Sequence, residues 1–102
     1  MNKYGYIANL KASGGNGNQL ASILIKASEI LSQNKQCDHY LISHAKDDKD
    51  SLWITEIWSS KQAHDEALQN DEVRALIGQA MPLLAEPPSG GTELEVLGGI
   101  GL

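Results

Sequence analysis

The stretch that most constrains the fold is Leu52-Trp53-Ile54-Thr55-Glu56-Ile57-Trp58. It is β-branched and aromatic, without Gly or Pro, which is the composition of a strand inside a sheet rather than at its edge. Side chains alternate along a strand, so Leu52, Ile54, Glu56 and Trp58 share one face, and Trp53, Thr55 and Ile57 the other. Both faces are substantially apolar, and both therefore call for a cover. Glu56 stands on one of them as a lone carboxylate, which is costly to bury unless it finds a partner.

The rest of the chain supplies the layers. Tyr4 to Lys11 reads as a first strand, with Tyr4, Tyr6, Ala8 and Leu10 on one face and Gly5, Ile7 and Asn9 on the other. Ala12 to Asn18 is a turn of small residues. It lacks the spacing of a nucleotide-binding loop, so it reads as a connection and not as a phosphate cradle. Gln19 to Gln33 carries Leu20, Ile23, Leu24, Ala27, Ile30 and Leu31 at helical spacing, with Asn18 as the expected N-cap. Cys37 to Ala45 reads as a second strand, joined to the third by the polar loop 46–50. Ser59 with Gln62 has the capping-box pattern. The helix it opens points Ala63, His64, Ala67 and Leu68 inward. Asn70 or Asp71 caps a further helix bearing Val73, Leu76, Ile77, Ala80 and Met81, which Pro82 should end. Thr92 to Leu97 alternates as a last strand.

The order is β-α-β-β-α(α)-β, an α+β chain of the ferredoxin-like βαββαβ pattern, with an antiparallel sheet and helices on one face. With 102 residues the chain is expected to form a single domain, 1–102. Helices cover only one face of such a sheet. The apolar groups on the other face then predict a second layer, most simply a second copy of the same sheet, and hence a homodimer.

Composition removes several classes of function. The net charge is −5, and no Lys/Arg cluster exists, so no nucleic-acid or membrane partner is expected. No apolar run reaches the ~20 residues of a bilayer span. One cysteine, Cys37, fits a reducing compartment, and the reading is a soluble cytoplasmic protein. No nucleophile motif, dinucleotide fingerprint or metal spacing is present, so no cofactor and no metal are expected. His39 and His44 lie five apart on a strand and point to opposite faces. What remains is a set of polar groups on apolar surfaces: Asn9, Glu56 and His64, with Trp53 and Trp58 near them.

The segment Glu56-Ile-Trp58-Ser-Ser-Lys-Gln-Ala63-His64-Asp-Glu-Ala-Leu68, the run from Asp71 and Met81-Pro-Leu-Leu resemble the antibiotic biosynthesis monooxygenase family. Cys37-Asp-His39-Tyr40-Leu41 and the closing Gly91-Thr-Glu-Leu-Glu-Val-Leu-Gly-Gly-Ile-Gly-Leu102 are similar to its quinol-monooxygenase-like members. The resemblance implies a dimeric α+β barrel and oxygen chemistry without flavin, metal or haem. The substrate would be a small electron-rich aromatic, an anthrone or a quinol, whose anion itself reduces O2. The protein would then bind a flat ring, favour its anion and exclude water. On this reading Asn9 would donate to a developing oxyanion, and His64 or Glu56 would accept a proton. Trp53, Trp58, Tyr40 and His39 would line the substrate site. The family's haem-degrading members use an Asn, Trp, His set. Only Asn9 matches it here; the Trp position is Ala67 and the His position is Ile77, so haem degradation is not expected.

A non-catalytic dimeric module that binds a small ligand, or serves as an accessory to a neighbouring enzyme, is the alternative. A partly polar enclosed cavity of roughly a few hundred Å³, lined by Asn9 with Trp or His, would mark the enzyme; a packed interior would mark the module.

Overall fold

In the computed structural model, which describes residues 2–102, the chain runs β1 (Lys3–Lys11), α1 (Gly17–Leu31), β2 (Cys37–Ala45), β3 (Asp48–Trp58), α2 (Lys61–Ala67), α3 (Asp71–Ala80), a 3-10 turn (Met81–Leu83) and β4 (Thr92–Val96). The four strands form one antiparallel sheet in the order β2-β3-β1-β4. This is the ferredoxin-like α+β arrangement, with the apolar stretch Leu52–Trp58 in an interior strand.

All three helices pack on one face. Leu52 and Ile54 from β3 join Leu20, Ile23 and Leu24 from α1 and Ala80 from α3 in one buried cluster. Trp58 joins Leu31, Ala63, Ala67 and Val73 in a second. Trp58 is 1% exposed, and emptying such a site to Ala costs ~3–5 kcal/mol. The other face, carrying Ile7, Asn9, Trp53, Thr55 and Ile57, has no helix or strand over it among the described residues.

Local chemistry sets several boundaries differently from the sequence patterns. α1 begins at Gly17, two residues before the expected start at Gln19, and Asn16 at its start makes no side-chain cap bond. The cap comes from afar: Asp50 accepts from Gly17 N at 2.9 Å and from Gly15 N at 3.1 Å. A Cβ at Gly17 would stand 2.0 Å from the Lys49 carbonyl oxygen, so only glycine lets the β2–β3 hairpin dock there. The carboxylate occupies the positive end of the helix, which is the physical reason that the glycine-rich turn is not a phosphate cradle. β3 starts at Asp48, which leaves a shorter hairpin tip than the charged run implies. Ser60, not Ser59, caps α2 by accepting from Ala63 N at 3.1 Å. The expected capping box does not close, because Gln62 bonds Glu66 instead. Asn70 caps α3 through Val73 N at 3.0 Å.

Candidate active site

β3 positions the first polar groups. Glu56 and Trp58 are two residues apart and so share the helix-covered face. The indole Nε1 of Trp58 donates to Oε1 of Glu56 at 2.9 Å. Glu56 is 6% exposed. Burial pushes its carboxyl pKa above the ordinary value, while the Trp58 hydrogen bond and nearby His64 draw it partway back.

α2 brings the second group. Capped by Ser60, it presents Ala63, His64 and Ala67 to the sheet. His64 is buried, with Nε2 3.7 Å from Glu56 Oε1 and Nδ1 2.9 Å from Asp65 Oδ1. Three rings surround the imidazole: Tyr4 at 5.2 Å, Tyr6 at 5.4 Å and Trp58 edge-on at 5.8 Å between centroids. Antiparallel register produces this cage, because Tyr4 faces Trp58 and Tyr6 faces Glu56 across the β1–β3 pair.

At the open edge the cage is tied by charge. Lys61 reaches Glu93 at 3.0 Å and Asp65 at 3.6 Å, and the Tyr4 hydroxyl donates to Glu93 at 2.8 Å. Burial, then the Glu93 carboxylate, raise the Tyr4 pKa. The hydrogen bond from His64, assisted by Lys61, lowers that of Asp65.

Beneath the helices lies an enclosed cavity of about 40 Å³, lined by Tyr40, Glu56, Trp58, Ala67, Leu68 and Ile77 among others. That admits a few waters at roughly 10–15 Å³ each, and no aromatic ring. Leu68 and Ile77, each 41% exposed, form its rim. Sequence periodicity placed both in inward stripes; here they are half in solvent: Leu68 lies just past the end of α2, and on α3 it is Val73 and Ala80 that are buried against the core. Burial also raises the pKa of Tyr40, with Glu56 adding to it. Cys37, at the end of β2, is pushed up to about 11 by burial and by Glu56.

The sheet therefore divides the sequence-derived candidates. Glu56, Trp58, Tyr40 and His64 meet on the covered face. Asn9, Trp53 and His39 lie on the open face, where Asn9 pairs with Trp53 and His39 with Ile57. The Asn9 amide donates to Ser51 Oγ at 3.0 Å and to the Leu52 carbonyl at 2.9 Å, a cross-strand tie pointing away from His64. Asn9 and Trp53 flank an open groove of about 720 Å³ beside Gly91 and Glu86. The cavity is thus an order of magnitude smaller than an aromatic site needs, and Asn9 is not part of it. Ala67 and Ile77, the positions linked to the Trp and His of haem-degrading members, both line the cavity and bring no ligand to a haem. Among the described residues no three His, Cys, Asp or Glu side chains converge as metal ligands would.

Sequence reasoning missed Tyr4, Tyr6, Asp65, Lys61 and Glu93 as members of the constellation. The tyrosines had a signal, since both fall on one face of β1. Their position beside Glu56 depended on a register that alternation alone does not supply.

Residues 4–79 match the sequence profile of the family described as antibiotic biosynthesis monooxygenase. No curated protein matches the chain. Among solved structures, a Chloroflexus aurantiacus protein provisionally named an antibiotic biosynthesis monooxygenase is 30% identical, with 95% of each chain covered and a TM-score of 0.84. A Caulobacter crescentus protein of the same provisional name is 18% identical over 94% of this chain and 91% of its own, at TM-score 0.85. One from Nitrosomonas europaea is 13% identical over 93% and 90%, at TM-score 0.87. The last two are similar in fold alone.

Proposed function

The chain belongs to the antibiotic biosynthesis monooxygenase family, and from that premise we propose that it is a cofactor-independent monooxygenase oxidising a small aromatic, anthrone or quinol with O2. Membership and the names of the neighbours support a general monooxygenase-like role. The substrate class and the use of O2 belong to the proposal.

The observation that carries it is Glu56: a buried carboxylate of raised pKa, lining an apolar cavity and oriented by Trp58. A carboxyl tuned upward is a better match for abstracting a phenolic or anthrone proton near neutral pH. Glu56 takes the proton, and the substrate becomes its oxyanion or enolate. Trp58 and Tyr40 wall the ring. The anion gives an electron to O2, the radical pair combines to a peroxide anion, and a proton completes the hydroperoxide. Loss of water then leaves one oxygen atom in the product. Substrate entry requires Leu68 and Ile77 to swing outward, since the closed cavity is too small to hold a ring. A second copy of the chain covers the open face and leaves this cavity undisturbed.

Oxygen uptake by metal-free protein, screened against reduced quinols and anthrones, tests the reading. Uptake above the uncatalysed rate, falling about a hundredfold in Glu56→Gln, is the expected result. The rate should rise with pH as Glu56 ionises, with a midpoint above the ordinary 4.5. Uptake no faster than the blank across the panel overturns it.

One observation favours the alternative of a non-catalytic ligand-binding or accessory module: the cavity of about 40 Å³. A ligand that raises the melting temperature of the protein without oxygen uptake would support that reading.

A further inference from the structure

A base lining a small apolar cavity exchanges its proton with solvent only through a neighbouring group that reaches both. Glu56 faces Tyr40 and Cys37 on β2, Tyr6 on β1 and His64 on α2, with apolar α3 residues on its remaining side. Tyr40 and Cys37 have raised pKa values and hold their protons. Of these neighbours, His64 alone has a second polar end that touches an exposed group: Nδ1 lies 2.9 Å from Asp65, whose side chain is 52% exposed. The aromatic cage of Tyr4, Tyr6 and Trp58 keeps the ring from turning and leaves its two nitrogens at opposite ends of the path.

We propose that His64 and Asp65 form the proton path between Glu56 and solvent, with Asp65 the positioning residue that fixes the imidazole for transfer. The inference rests on Glu56 being the base of the preceding section. The Asp65 carboxylate accepts from Nδ1, so the resting ring carries its hydrogen there and turns a lone pair on Nε2 toward Glu56. The gap of 3.7 Å closes by a small rotation of the Glu56 carboxyl toward the held ring, as catalytic bonds commonly tighten on substrate binding. The protonated Glu56 gives its proton to Nε2, and the imidazolium gives the Nδ1 proton to Asp65 and then to water. One proton leaves the substrate, one reaches solvent, and no electrons move along the path. The ring is left with its hydrogen on Nε2. When the peroxide anion needs a proton, the same steps run inward and restore the resting tautomer. The hydrogen bond from His64, assisted by Lys61 at 3.6 Å, keeps the outer carboxylate ionised between transfers.

The test compares wild type, Asp65→Asn and Asp65→Glu, with Glu66→Gln as the neighbouring exposed control. With an anthrone as substrate, Asp65→Asn should slow turnover by at least about tenfold. Its rate should climb with added imidazole buffer, while wild type and Glu66→Gln ignore the buffer and Asp65→Glu regains most of the rate. A merely structural role for Asp65 would not produce buffer rescue. Nitrogen NMR of the His64 ring is the second readout and needs no substrate. It should show hydrogen on Nδ1 in wild type and on Nε2, drawn to Glu56, in Asp65→Asn. Failure of all turnover in wild type would overturn the monooxygenase reading and leave NMR to decide the path. Wild-type turnover with Asp65→Asn equally fast, or slow but indifferent to buffer, overturns the path alone. So does a wild-type His64 ring carrying its hydrogen on Nε2.

Discussion

Glu56 and Trp58 show how two side chains on one strand can set each other's chemistry. Among the described residues, the indole is the one hydrogen-bond donor to the buried carboxylate, at 2.9 Å. Trp58→Phe keeps most of the packing and removes that donor. It should cost about 1.5–3 kcal/mol in urea unfolding, the range for a hydrogen bond to a charged group, and should raise the Glu56 pKa further. Glu56→Gln acts in the opposite direction. Burial raises the Glu56 pKa above the unfolded 4.5, so the native state holds a proton that the unfolded chain has released. Its contribution to stability is complete below 4.5 and declines as pH rises through the folded value. Gln accepts from Trp58 without carrying a charge. Glu56→Gln should therefore melt higher than wild type near neutrality, with the gap closing toward acid. Melts over roughly pH 4 to 8 would check this, and equal melting temperatures throughout would contradict it.

At the scale of elements, α1 is fastened to the β2–β3 hairpin by a contact remote in sequence. Asp50 accepts from the amides of Gly15 and Gly17, and Gly17 lies against the Lys49 backbone. Asp50→Ala should cost about 1–2 kcal/mol, as the loss of a helix cap does. Gly17→Ala should cost about 1–3 kcal/mol through overpacking, since backbone and not a flexible side chain is in the way. Denaturant midpoints measure both. The sequence announced glycine and small polar residues in this turn but could not name their partner, because Asp50 is 33 residues from Gly17. α2 is likewise read correctly as a helix, yet its docking through Lys61 and Glu93 joins it to a strand at the far end of the chain.

For the whole molecule, the open face of the sheet is the unfinished surface. Leu41 at 54%, Trp53 at 41% and Leu94 at 41% exposure share it with Ile7, Thr55 and Ile57. An apolar surface of this kind marks an interaction site, and a second copy is the proposed occupant. Leu41→Asp lies on an edge strand and is already exposed, so the fold should survive. Light scattering should then report a dimer for wild type and a monomer for the variant. A wild-type mass near the 11.0 kDa of one chain would remove the dimer. No helix among the described residues is long and apolar enough to cross a membrane.

The alternation along each strand and the helical spacing of Leu20 to Leu31 and Val73 to Ala80 were enough to determine the elements, their order and most of their apolar faces, Ile77 excepted. Those properties are local and repeat with a fixed period. Which faces meet was decided only by the tertiary structure. Side chains alternate with a period of two, so a shift of one residue between β1 and β3 would exchange the sets. The actual register sets Tyr6 against Glu56 and Asn9 against Trp53. That choice joins Glu56 to His64 and leaves Asn9 behind the sheet, and it depends on packing between segments that no local pattern records.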